Sequence, residues 1–141
     1  MKIISAGIAA MCLASVANAQ SVSVNPGQWE YTTEIMMESA MGSMPQSDSD
    51  SSCLKPEDAT QTPADFAESG CEVTKSSMDG ETLKFSLSCD QMGVPMEGKM
   101  AITPMDNGNA LDISGEMSGE VPQMGEMKVT IKASGKRVGA C

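Results

Sequence analysis

Sulfur is the element with which this chain could do chemistry. It carries fourteen methionines and five cysteines but not one histidine. Without imidazole, Ser-His-Asp and Cys-His catalysis are excluded, as is every zinc site that needs a histidine ligand. The methionines cluster: Met36, Met37, Met41 and Met44; then Met92, Met96 and Met100 at four-residue steps; then Met124 and Met127. Thioethers are soft ligands for Cu(I). On a strand, however, an M-x-x-M spacing sends its two sulfurs to opposite faces. That objection leaves Met41 and Met44, read here as loop residues, as the metal-binding alternative. The competing reading is that methionine fills an irregular core or lines an adaptable apolar groove, and this reading leads.

Other side chains offer less. The acidic pairs Glu34/Glu38 and Asp48/Asp50 lack EF-hand spacing and read as a solvated face. Serines are plentiful, yet no base or nucleophile elbow accompanies them. Lys128, Lys132 and Lys136 share one face of a strand, with Arg137 beside them. They read as the lysine-blunted outer face of an edge or closing strand, with anion binding a secondary possibility.

Cys53, Cys71, Cys89 and Cys141 follow the first twenty residues, and an even count in a small exported chain reads as two disulfides. Strand direction selects the pairing. Cys71–Lys75 alternates, Met78-Asp79-Gly80 turns the chain, and Leu83, Phe85, Leu87 and Cys89 recur at period two. A three-residue turn puts Cys71 and Cys89 on one face at one end of this hairpin. If each later hairpin reverses the chain, the last strand ends at the opposite edge of the sheet. Cys141 is then left with Cys53. The expected bridges are Cys71–Cys89 and Cys53–Cys141.

The elements that must position these residues are strands. Residues 28–38 alternate cleanly, with Trp29, Tyr31, Thr33, Ile35 and Met37 on one side. Ser39–Ser47 reads as a flexible loop and Ser47–Leu54 as a returning strand. Pro56 and the carboxylates after it mark a helix entry, and Asp65–Glu68 a second short turn anchored by Phe66. Further strands are expected over Met96–Thr103, Ala110–Met117 and Met124–Ser134. The fold class is therefore all-β: an antiparallel meander of about seven strands forming a curved sheet or small barrel, with one short helical insertion.

Residues 1–19 combine Lys2, an apolar run from Ile3 to Val16 and an Ala17-Asn18-Ala19 end, the pattern of a secretory signal peptide. Cys12 leaves with it. The remaining residues, 20–141, form one β domain. The run is too short to span a bilayer, and no other segment is a candidate. A net charge of -10 argues against nucleic acid as a partner.

Pro26-Gly27-Gln28-Trp29-Glu30, the Cys53-Leu54-Lys55-Pro56-Glu57 run, Cys71, Cys89 and the closing Gly135-Lys136-Arg137-Val138-Gly139-Ala140-Cys141 resemble a family of small exported bacterial proteins. It is catalogued as domain of unknown function 3617. The resemblance implies export, paired cysteines and methionine-rich loops, and it transfers no catalytic residue. The expected role is thus a periplasmic or secreted, monomeric, non-enzymatic protein without a cofactor. It binds a small apolar or amphipathic ligand, or a protein partner, through Trp29, Met37, Met41, Met44, Met96 and Met100.

Overall fold

A computed structural model of the chain describes residues 20–67, 70–91 and 93–141. The signal-peptide reading with Cys12, Glu68 at the end of the expected turn, and Met92 lie outside the described residues. The strands are β1 (Val22–Ser23), β2 (Gly27–Ser39), β3 (Gly42–Leu54), β4 (Thr60–Gln61), β5 (Cys71–Asp79), β6 (Thr82–Gln91), β7 (Val94–Met105), β8 (Ala110–Val121) and β9 (Gly125–Gly139). Seven of them form one antiparallel sheet in the order β3-β2-β9-β8-β7-β6-β5. Strands β5 to β9 are a meander, and the β2–β3 hairpin joins it along β9. Strands β3 and β5 are the edges of the sheet, and among the described residues no pairing closes it into a barrel.

Pairing of the first long strand with the last follows from composition. Glu30, Glu34 and Glu38 on β2 stand directly opposite Lys136, Lys132 and Lys128 on β9. Opposite charges set across from each other favour this register without closing into ion pairs, and a one-residue slip would turn every apolar side chain outward. The lysines therefore do not blunt an edge, because β9 lies inside the sheet. The edges are protected differently. Strand β3 carries Pro45, Asp48 and Asp50, and β5 carries a bulge at Thr74 followed by Lys75.

Two local expectations are corrected. Residues 42–47 are not a loop: they pair in unbroken register with 34–39, and only Ala40-Met41 turn the chain. A strand exposed at an edge has no buried face, so β3 shows no apolar alternation to betray it. The β5–β6 turn holds two residues, Gly80-Glu81, with Gly80 at φ 62°. An even turn would place Cys71 on the wrong face. The bulge between Val73 and Lys75 restores the parity, so Cys71 stands opposite Cys89.

The insertion after β3 comprises a 3₁₀ turn over Pro56–Asp58, β4 and the helix α1 (Pro63–Phe66). Thr62 and Asp65 close α1 with a capping box, which starts it two residues before the expected turn. Strand β4 pairs with β1, and the Phe66 ring packs 5.9 Å from that of Phe85. This second layer covers part of one sheet face. The core beneath it is small: Val22, Val24, Trp29, Leu83, Phe85, Leu87, Cys89, Ile102 and Leu111.

A core this small needs other constraints. Disulfides join Cys53 to Cys141 and Cys71 to Cys89, with Cα atoms 5.9 and 4.0 Å apart. These are the pairs that strand direction selects.

Candidate functional site: a methionine and glycine face

The sheet face that carries the core continues beyond the second layer. On β7, Met96, Gly98 and Met100 alternate; on β8, Gly119, Met117 and Gly115 stand directly opposite them. Every methionine thus faces a glycine across the strand pair, and every glycine a methionine. The side chains use the space. A Cβ built at Gly98 would lie 2.5 Å from Met117 Cγ, and one at Gly119 2.9 Å from Met96 Cγ. One at Gly115 would run into the Met100 sulfur. Each thioether therefore lies flat over the backbone of its neighbour, and the face stays low where strands usually raise branched side chains. Glycine inside a strand marks such a place of close approach.

The same register rows carry Leu87 on β6 and Met127, Val129 and Ile131 on β9, and continue to Ile35 and Met37 on β2. On β8, β9 and β2 these apolar residues are partly buried, neither sealed in the core nor fully exposed. Among the described residues, the elements outside the large sheet are β1, β4, α1 and two 3₁₀ turns, and their contacts reach β5, β6, β7 and β8. Among the described residues the methionine face is open beyond the edge of the core, against which Met96, Met100 and Met117 are partly buried.

The candidate lining residues separate. Met37, Met96 and Met100 are on this face. Met44 has the same facing, because it pairs with Met37, but at the edge strand it is 60 % exposed. Met41 occupies the β2–β3 turn and is 83 % exposed. The two do not form a loop pair; the cross-strand pair is Met37–Met44. Trp29 is fully buried. Its indole N–H donates to the Asn25 carbonyl at 2.9 Å and its ring stacks on Tyr31, so it is core. Missed by reading strands one at a time were Gly98, Gly115, Gly119 and Met117. Their signal is the M-E-G-K-M of 96–100 set against the G-E-M-S-G of 115–119.

The end motifs behind the family resemblance meet in space. Trp29, Glu30 and Tyr31 pair with Arg137, Lys136 and Gly135. The Arg137 guanidinium donates from Nε to the Pro26 carbonyl at 2.7 Å. A Cβ at Gly135 would lie 2.8 Å from the Tyr31 ring, and one at Gly27 2.6 Å from Arg137 Nε. Burial raises the Tyr31 phenol above its usual range, partly offset by a hydrogen bond from Ser52. These are the contacts of a clasp between the first and last long strands.

Residues 24–141 match the family described as Protein of unknown function (DUF3617). The chain belongs to this family. No curated protein and no solved structure matches it. In this DUF3617 chain the two end motifs thus build the clasp, whereas Cys71 and Cys89 lie at the other edge of the sheet, Cys89 directly opposite Met96. Among the described residues no group of three or more acidic or cysteine side chains is placed to hold a metal ion. None of the helices among those residues is long and apolar enough to cross a membrane.

Proposed function

We propose that this chain is an exported, non-enzymatic binding protein that holds an apolar or amphipathic ligand on its methionine face. The observation that carries the reading is the methionine and glycine alternation on β7 and β8, left open beside a core of nine residues among those described. Unbranched thioethers on a floor without Cβ atoms can re-pack around ligands of varied shape. Export is supported by the two disulfides, which persist in oxidising compartments.

Gly115→Val tests the site. It raises a branched side chain in the middle of the face and displaces Met100. Titration with an environment-sensitive naphthalene dye should show wild-type binding and at least about a tenfold loss in the variant, the cost of roughly 1.4 kcal/mol of lost contact. Ser114→Val, one residue away on the opposite face, should leave binding unchanged. Equal binding by all three proteins would remove the face from the account.

A second reading, Cu(I) binding, is favoured by one observation: Met37 and Met44 are directly opposed, which sets their Cβ atoms about 5 Å apart. Competition against a chromophoric Cu(I) chelator decides it. The copper reading requires that Met37→Leu with Met44→Leu weaken uptake; uptake equal to wild type rules it out.

A further inference from the structure

We propose that a lysine-walled groove on the opposite, polar face binds a linear oxyanion chain of the phosphate class. The groove crosses β5 to β9 and encloses about 390 Å³. Its floor is the backbone of the register row Ser76, Phe85, Met100, Gly115 and Ile131, whose apolar side chains point to the other face. Its walls are the two neighbouring rows. One holds Ser77, Lys84, Ala101, Ser114 and Lys132; the other holds Lys75, Ser86, Lys99, Glu116 and Thr130. Small side chains at the centre make the depression, and long ones stand around it.

Charge is concentrated here against the trend of the whole molecule. The chain has nine basic residues against nineteen acidic ones, yet four lysines and one glutamate line this groove. The carboxylates at hand cancel one of the four. Lys84 is paired with Asp79 at 2.9 Å, and Glu116 approaches Lys128 at 3.6 Å. Glu116 is also the cross-strand neighbour of Lys99, and Glu34 that of Lys132, but neither comes within ion-pair distance. Lys75, Lys99 and Lys132 thus form no ion pair among the described residues.

The donors define the ligand. Ammonium groups and the hydroxyls of Ser77, Ser86, Ser114 and Thr130 suit tetrahedral oxyanions, which the lysines meet as point charges and the hydroxyls as single donors. The lysines come from β5, β6, β7 and β9, across about 19 Å at the usual strand spacing. A single phosphate cannot meet them all, whereas a chain of phosphates laid across the strands can.

The test titrates the full chain with orthophosphate, linear polyphosphate and phosphatidylglycerol vesicles at low and at physiological salt. Polyphosphate should bind at low salt at least about tenfold more tightly than orthophosphate and weaken as salt rises. Changing Lys75, Lys99 and Lys132 together to Gln should cost at least about tenfold and reduce the salt slope by about 2. Lys55→Gln, outside the groove, should change neither. Glu116→Gln should tighten binding, a gain that misfolding cannot produce. The proposal is overturned if polyphosphate does not bind at low salt, if the triple variant binds it as wild type does, or if only the vesicles bind.

Discussion

Changing both Cys53 and Cys141 to serine is expected to lower the unfolding free energy by about 4–5 kcal/mol, the chain-entropy value for a loop of this length. The bridge closes 88 residues. Its position makes it more than a generic staple. Strand β3 touches the rest of the sheet only through β2, and β2 joins the meander only through β9. The disulfide ties β3 to Cys141, two residues beyond the end of β9, so it locks the β2–β3 hairpin onto the sheet. Domains of this size have about 5–15 kcal/mol of stability in all, so the double variant should be close to unfolding at physiological temperature. Removing Cys71–Cys89, which spans 18 residues, should cost less, about 3 kcal/mol. Denaturant unfolding of both variants checks the order. A Cys53/Cys141 variant as stable as wild type would mean that β9 and β2 hold the clasp unaided.

Trp29→Ala should cost about 3–5 kcal/mol, the range for deleting a large buried aromatic. The ring is fully buried and packs on Tyr31, and its N–H donates to the Asn25 carbonyl. Gly135 leaves room for both rings on the facing strand. Removing the indole empties the centre of the clasp and leaves a carbonyl without its donor, and the molecule has few other buried side chains to compensate. Thermal unfolding should fall by more than about 10 °C. Trp29→Phe should recover part of the loss, because a ring remains while the hydrogen bond does not. Near-wild-type stability in Trp29→Ala would refute the clasp.

The sequence was most legible where one face is buried. Leu83, Phe85, Leu87 and Cys89 alternate because that face meets the second layer, and hairpin direction then paired the cysteines. Legibility failed where burial did. Strand β3 is polar on both sides, so the period-two signal disappears and residues 42–47 read as a loop. The bulge at Thr74 escaped because it and the two-residue turn at Gly80-Glu81 cancel in parity; the three-residue turn gave the same facing for the wrong reason. Pairing of β2 with β9 joins residues 90 to 111 positions apart, and only the Glu30, Glu34 and Glu38 match to Lys136, Lys132 and Lys128 announces it. The methionine and glycine alternation was within reach. Folding the chain about Asp106–Asn109 sets 96–100 against 115–119, but each strand alone shows only scattered methionines.

The claim on which the functional account depends is that ligand meets one set of methionines and not the others. Labelling every methionine methyl with ¹³C and titrating dodecanoate into the folded protein reads each of them separately. Met96, Met100 and Met117 should shift together, with Met37 and Met127 following. Met36 and Met105 on the opposite face, and Met41 and Met124 in turns, should stay still. Spectra that do not change, or shifts confined to the second group, would contradict it.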